Sequence, residues 1–383
     1  VNAALTEPLA LYVHWPFCVS KCPYCDFNSH VREGVDQEAW REALLKDMAH
    51  EAALTGGRRL SSIFFGGGTP SLMPPQTVEA LLIAAERLWG FADDIEITLE
   101  ANPSSVESAR FADIARAGVN RVSLGLQALD DQDLHFLGRA HDVREGLAAL
   151  EAAQGLFARV SFDLIYARPR QTEAEWEREL TRALSFGTTH LSLYQLTIEP
   201  GTRFDTLVRK GELKPADPDH AATLFELTQA LTTAAGVPAY EISNHARHGD
   251  ESRHNLIYWR YQDYVGIGPG AHGRRGGMAS QRRKKPENWL AEIGRSGHGI
   301  ENLTPLSATD KATEALLMGL RLREGVDLAR IAERSSIAQE ALVDRRAVEQ
   351  LQTLGLVAAE GDRLKVLEPG MLLLDAVLPQ IVA

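Results

Sequence analysis

The sequence predicts an α/β fold: a parallel sheet with helices outside, doubly wound or curved into a partial barrel, followed by a smaller winged-helix-like domain. Three observations predict it. Strand-like and helical runs alternate six times between Leu9 and Leu196, and βα alternation of this length builds parallel sheets with covered faces. Polar and reactive residue types fall at or just past the C-terminal ends of successive strand-like runs, the rim on which barrel-type folds build sites. Beyond Ser307 the pattern changes to three helical runs and then two short strands around Glu360-Gly361-Asp362.

Leu9 to Phe17 reads as a buried strand, with the cysteine loop after it. From Asp36 to Leu54, Trp40, Ala43, Leu44 and Met48 recur at helical spacing. Ser62 to Phe65 is a second strand that runs into Gly66-Gly67-Gly68-Thr69-Pro70. A helix follows from about Pro75, where proline suits a first turn, to Trp89. Ile95 to Glu100 is the third strand, Val106 to Ala117 a helix, and Arg121 to Gln127 the fourth strand. Helices near Asp130–Leu137 and Val143–Ala153 lead to the fifth strand, Arg159 to Tyr166. Glu173 to Ser185 is helical, and His190 to Leu196 is the sixth strand. His220 to Ala235 is helical, while His254 to Gly273, rich in aromatics and glycine, takes no clear assignment. The basic segment Arg274 to Gly299 reads as a surface excursion or linker. Helices at Ser307–Leu322, Leu328–Glu333 and Gln339–Thr353 complete the pattern. The expected divisions are 1–240, 241–300 and 301–383.

With 383 residues, 44% of them hydrophobic and 24% charged, the chain is long enough for a barrel-sized domain and a smaller one. A net charge of −12 argues against nucleic acid as a partner, because phosphate binding needs a positive field. The helix Gln339–Thr353 mixes acids and bases, so the winged part reads as a protein-contact or lid domain. The run Arg282-Arg283-Lys284-Lys285 is the main basic patch and reads as a solvated loop. Val1 to Pro8 lacks the basic region and apolar core of a signal peptide, and the apolar tail Met371 to Ala383 is too short and too broken to span a bilayer. With no cysteine pair outside the motif, the expected compartment is the cytoplasm.

Chemistry concentrates in His14 to Phe27, which holds all three cysteines, Cys18, Cys22 and Cys25, in a C-x3-C-x2-C pattern. Thiolates this close favour zinc, copper(I) or an iron–sulfur cluster. Structural zinc wants four ligands and a second knuckle that the chain lacks, so a zinc site would have to borrow His14 or His30. A [4Fe–4S] cluster on three cysteines fits better and leaves one iron open to a small molecule. Gly66–Pro70 lets backbone approach a ligand and frees amide donors. An acid in the apolar run Phe162-Asp163-Leu164-Ile165 needs a partner, and the fork of Arg139 suits a carboxylate.

C-x3-C-x2-C after a strand, with Tyr24 just before the last cysteine, resembles the radical S-adenosylmethionine (SAM) superfamily. The longer string Tyr12-Val-His-Trp-Pro-Phe-Cys18 narrows the resemblance to the group around oxygen-independent coproporphyrinogen III dehydrogenase (HemN) and the haem chaperone HemW. The resemblance implies an open (βα)6 barrel, a [4Fe–4S] cluster on Cys18, Cys22 and Cys25, and SAM on the open iron. It implies that Gly67, Gly68 and Thr69 hold the methionine amino group and that Glu100 meets SAM hydroxyls or amine. Tyr12, Gln127, Arg139 and Asp163 match the remaining SAM positions. His254-Asn255-Leu-Ile-Tyr258-Trp259 resembles a string linked to haem binding in the HemW branch, which makes His254 a candidate haem ligand and His272 a weaker second.

Two departures separate the chain from the dehydrogenases. Their fourth cysteine, two residues after the third, is Phe27 here, and their longer segment before the first cysteine has no counterpart ahead of Cys18. The expectation is a cytoplasmic haem chaperone with SAM and a cluster, delivering haem to acceptor haem proteins, respiratory enzymes at the membrane surface among the candidates. The alternative is the coproporphyrinogen III dehydrogenase itself, and a third reading is a radical SAM enzyme with another substrate. Whether SAM is cleaved, and whether the protein is a homodimer, stay open.

Overall fold

The computed structural model describes residues 7–32 and 34–382; most of the N-terminal leader, residues 1–6, lies outside them. Six strands, β1 (Leu9–Trp15), β2 (Leu60–Gly67), β3 (Phe91–Ala101), β4 (Arg121–Gln127), β5 (Arg159–Tyr166) and β6 (His190–Gln195), pair in parallel in chain order. The sheet then extends at both ends. β7 (Asn244–Ala246) adds antiparallel to β6. On the other side β8 (Tyr264–Ile267) pairs in parallel with β1, and β9 (His272–Arg275), β10 (Met278–Arg282) and β11 (Ile300–Pro305) follow as an antiparallel meander. The result is one open eleven-stranded sheet, β11-β10-β9-β8-β1-β2-β3-β4-β5-β6-β7.

Local chemistry starts the covering helices. Asp36 caps α1 (Gln37–Leu54) by accepting from the Ala39 amide, Pro75 occupies the first turn of α2 (Pro75–Trp89), and Asp142 and Thr172 form capping boxes for α3 (Val143–Leu156) and α4 (Glu173–Leu184). α5 (Pro218–Ala234) packs on α4, where Trp176 Nε1 donates to Thr228 Oγ1 at 2.8 Å. The apolar core lies between sheet and helices and includes Leu11, Trp15, Phe65, Leu99, Phe162 and Trp176.

The concave face is polar. Glu96 accepts from Arg159 at 2.6 Å, and Ser161 and His190 share a 2.7 Å hydrogen bond. The short helix α6 (Arg253–Trp259) closes the N-terminal end of the strands as a floor. There Ser252 Oγ and the His254 amide donate to Glu96 Oε1 at 3.3 and 3.1 Å, and Arg159 Nη2 donates to the Asp250 and Glu251 carbonyls.

Two expectations are corrected. Residues 274–299 are not a linker: they supply β9, β10 and α7 (Pro286–Ser296), and Trp289 of α7 stacks on Trp40 at 5.2 Å. Nor is the basic run a solvated loop at its start. Arg282 is wholly buried, donating to Asp47 at 2.6 Å and Glu51 at 2.9 Å on α1, while Arg283 pairs with Glu292 and Glu301. An arginine reads as surface from composition, yet here two carboxylates of a distant helix compensate its burial.

The C-terminal unit has its own core, with Leu316, Leu320, Leu364, Val377 and Ile381 inside. Around it stand α8 (Ala308–Gly319), α9 (Leu328–Ser335), α10 (Arg345–Thr353), α11 (Leu374–Ile381) and a small sheet of β12 (Val326–Asp327), β13 (Val357–Glu360) and β14 (Arg363–Val366) in the order β12-β14-β13. The helix expected over Gln339–Thr353 is split. Gln339–Ala341 is a 3-10 turn, and Asp344 then caps α10.

Candidate functional site

Beyond β1 the chain makes a two-residue strand, Phe17–Cys18, paired with His30–Val31, so the cysteine loop is closed at its base. The loop is held to the rest of the sheet by Asn28, whose Nδ2 donates to the Pro269 and Lys284 carbonyls, both at 2.9 Å. His14 fixes it from below. Its Nε2 lies 2.9 Å from the Asn28 carbonyl and its Nδ1 2.9 Å from the Tyr12 hydroxyl. Carbonyls only accept, so Nε2 carries the proton and Nδ1 accepts from Tyr12. Burial lowers the His14 pKa to about 4, which keeps the ring neutral and makes this tautomer self-consistent. Both nitrogens are thus engaged, and His14 is closed to the zinc alternative.

Cys18, Cys22 and Cys25 are half-buried and line a cavity of about 400 Å³ together with Gly67, Gly68 and Thr69, Glu100, Gln127, Arg139 and Asp163. Every cysteine has a neighbouring donor: Thr69 Oγ1 for Cys18 Sγ at 3.4 Å, Arg139 Nη1 for Cys22 Sγ at 3.4 Å, and Ser29 Oγ beside Cys25 Sγ at 3.8 Å. Such donors support thiolates and tune a bound cluster.

The glycine turn is built for close approach. Gly67 has φ +115°, and a Cβ there would lie 2.5 Å from the His14 ring; at Gly68 it would lie 2.7 Å from the Phe17 carbonyl oxygen. The Gly67 amide donates to Glu100 Oε2 at 3.2 Å. Burial, then the neighbouring Asp163 charge, raises Glu100 to about 8. Burial raises Asp163 to about 6, opposed by hydrogen bonds from Ser192 and Ser123. Among the described residues neither carboxylate is ion-paired. Gln127, at φ +70°, leaves a buried Oε1 without a partner, and Arg139 likewise leaves a buried Nε. Two carboxyl groups without an ion pair, an orphan acceptor and an orphan guanidinium donor on one wall suit a zwitterion with extra positive charge, whose binding favours the carboxylate form. SAM, with its ammonium, sulfonium and carboxylate, has that character, so the residues present fit the group.

The structure therefore gathers the three cysteines and seven of the eight residues matched to SAM. Tyr12 is the exception: it does not line the cavity, and its hydroxyl is committed to His14. His254 is also elsewhere. It is buried in the barrel floor, Nδ1 at 3.0 Å from Ser62 Oγ, Nε2 at 3.1 Å from Tyr258 hydroxyl, its ring stacked on Phe64 at 4.9 Å. Neither nitrogen faces open space, so the expected haem ligand is a structural histidine in this conformation. His272 is exposed, with Nε2 3.3 Å from the Gln281 amide nitrogen. Sequence reasoning missed Asn28, Asn102 and Ser192. Asn102, which donates to Thr69 Oγ1 at 3.1 Å and accepts from Arg139 Nη2, carried only its place two residues after Glu100 as a signal.

Beside the cluster cavity, and sharing Glu100, Gln127 and Asp163 with it, lies a chamber of about 1020 Å³ roofed by residues 371–376 of the C-terminal unit.

Comparison with known proteins fits this arrangement. A radical SAM superfamily model matches residues 12–183, and a HemN C-terminal domain model matches residues 306–373. The heme chaperone HemW of Escherichia coli is 37% identical, the alignment covering 98% of both chains. The chain belongs to the HemW family of the radical SAM superfamily. The bovine radical S-adenosyl methionine domain-containing protein 1, mitochondrial, is 41% identical over 97% of this chain and 87% of its own. A solved structure of E. coli coproporphyrinogen III oxidase (HemN), described as a radical SAM enzyme, superposes with TM-score 0.82 at 24% identity, over 98% of this chain and 91% of that one. That likeness establishes a shared fold, including the C-terminal unit. Radical SAM membership implies a [4Fe–4S] cluster and SAM. No described helix is long and apolar enough to cross a membrane.

Proposed function

We propose that this protein binds haem and hands it to acceptor haem proteins, with a [4Fe–4S] cluster on Cys18, Cys22 and Cys25 and SAM along the barrel rim. The observation that carries the reading is end-to-end similarity to chains called heme chaperone HemW, across barrel and C-terminal unit alike. In this reading Gly67, Gly68 and Thr69 present backbone to the methionine end of SAM, Glu100 and Asp163 face its positive charge, and Arg139 meets its carboxylate. When bound, the cluster and SAM supply one-electron chemistry.

The rival reading, oxidative decarboxylation of coproporphyrinogen III, finds less support. Where those dehydrogenases carry a further cysteine stands Phe27, 61% exposed and lining both the chamber and the cluster cavity. The test is anaerobic reconstitution followed by haem titration, transfer of that haem to an apo-haem protein, and a coproporphyrinogen turnover assay with SAM. The reading expects about four iron and four sulfide per chain, haem bound and passed on, and no turnover. Turnover of coproporphyrinogen by protein that passes on no haem would replace it with the dehydrogenase.

A further inference from the structure

Away from the cluster, a cleft of about 410 Å³ runs between the barrel floor and the C-terminal unit. Its charge is unusual for a chain of net −12. Six lining side chains are arginine or lysine against three carboxylates, and those carboxylates are already occupied. Asp263 pairs with Arg58 at 2.6 Å, Glu324 with Arg260 at 2.8 Å, and Asp327 caps α9 by accepting from the Arg330 amide. Three of the six cations make no ion pair among the described residues. Arg363 donates only to the Glu324 carbonyl at 3.0 Å, and the Lys311 side chain makes no hydrogen bond either. Arg274 is the most telling one. It is 8% exposed, its guanidinium stacks 3.5 Å over the Tyr261 ring, and its only hydrogen bond among the described residues goes to the Gln262 carbonyl at 3.0 Å. A buried guanidinium with an aromatic face and one carbonyl, but no anion, is an under-compensated charge. Tyr261 holds that stack from a left-handed backbone, φ +53°, a conformation that costs a bulky residue energy and persists where the surroundings enforce it.

The remaining wall is apolar: Trp259, Leu306, Leu322, Val326 and Ile331. Trp259 ends the His254–Trp259 string and is its only side chain to reach the cleft, since His254 and Tyr258 are turned inward against each other. A flat apolar wall beside unpaired cations is complementary to a planar aromatic body carrying carboxylates.

We propose that this cleft is the seat of the haem, held by its propionates on Arg274 and Lys311 with the porphyrin against Trp259. The proposal rests on the haem-chaperone reading and adds a place to it. The larger chamber above the cluster is the obvious competitor, and its electrostatics disfavour it. Even with Glu100 largely protonated at neutral pH, Asp26, Asp163, Glu199 and Asp375 line it against Arg321 as its one arginine or lysine, which repels a dicarboxylate. The cleft lies within the usual size range of small-molecule sites and is partly open to solvent. A ligand held there is not fully enclosed, as a donor that must release it requires.

The experiment titrates reconstituted full-length protein with ferric haem, with protoporphyrin IX, and with protoporphyrin IX dimethyl ester, which lacks free carboxylates. Two variants are compared with wild type: Arg274→Gln, and Lys311→Glu combined with Arg330→Glu, the second altering only side chains that are not fully buried. Iron content and SAM binding report on folding. The expected result is at least tenfold weaker binding of haem and protoporphyrin IX to each variant, and weak binding of the ester to wild type. Wild-type affinity in the doubly charge-reversed protein, or an ester bound as tightly as the free acid, overturns the cleft while leaving haem transfer intact. Cleft-dependent porphyrin binding without transfer to an apo-haem protein would remove the chaperone reading instead and leave the site standing. A wild type that binds none of the three removes both.

Discussion

Glu100 offers a quantitative test of the SAM site. In the ligand-free protein its pKa is raised to about 8, so at neutral pH it is mostly protonated. A ligand carrying ammonium and sulfonium charge favours the carboxylate, and binding then releases that proton. With a pKa of 8 in free protein and an ordinary value in the complex, the apparent affinity should be about 16-fold weaker at pH 6.5 than at pH 8. The ligand's own ammonium also titrates, but equally for any variant, so the readout is the difference between wild type and Glu100→Gln. Isothermal titration under anaerobic conditions at three pH values, with SAM and reconstituted protein, measures it; proton uptake or release follows from repeating the titration in buffers of different ionisation enthalpy. Glu100→Gln should bind SAM more weakly at pH 8 and lose the extra pH dependence. An identical slope in both proteins would show that Glu100 does not face the ligand's positive charge. The same group has the opposite effect on the empty protein. Its folded pKa lies above the unfolded carboxylate value, so its contribution is fully present below about pH 4.5 and declines as pH rises through about 8. Asp163, raised to about 6, acts alike over a lower window.

Three further outcomes follow from contacts described above. Gly67→Ala places a Cβ against the His14 ring at a positive φ, so SAM affinity should fall at least tenfold while iron content holds; unchanged affinity would put the methionine end elsewhere. His254→Phe leaves Ser62 and Tyr258 without their shared partner, so chemical denaturation should show a loss of about 1–3 kcal/mol, with the visible spectrum of bound haem unaltered; a changed spectrum would mean that the histidine reaches the iron. Arg282→Leu leaves buried Asp47 without a cation, Glu51 keeping Arg275, and should cost about 3–5 kcal/mol, read as a lower denaturation midpoint; a loss below 1 kcal/mol would mean that water reaches Asp47.

The parts legible in the sequence are those set by local pattern. The cysteine spacing, the glycine turn and the alternation of strand and helix up to β6 each occupy a few adjacent residues, and the structure gathers the residues they pointed to round one cavity. The parts that were not legible depend on partners far along the chain. Arg274, Arg275 and Arg282 make the segment after β8 look like exposed loop, yet Arg275 and Arg282 lie buried because Glu51 and Asp47 of α1 meet them. His254 beside Tyr258 and Trp259 has the composition of a ligand, and only the presence of Ser62 and Phe64 in the floor shows that its ring is already satisfied. Polar residues facing into the barrel, such as Glu96 and Arg159, interrupt the apolar alternation that would mark a strand with one buried face.

The tether on the cysteine loop has a consequence for how the protein comes into being. Asn28 reaches carbonyls 241 and 256 residues later, and β1, near the start of the chain, takes one of its two sheet neighbours from residues 264–267. During synthesis the first strand and the loop after it emerge long before the partners that fix them, and contacts of such high sequence separation form late and slowly. Until they form, one edge of β1 stays unpaired and three thiols sit on a loop not yet held in shape. Assembly of the metal centre is thereby placed after the sheet has paired around β1, because the site acquires its geometry only once residues 264–284 have been made.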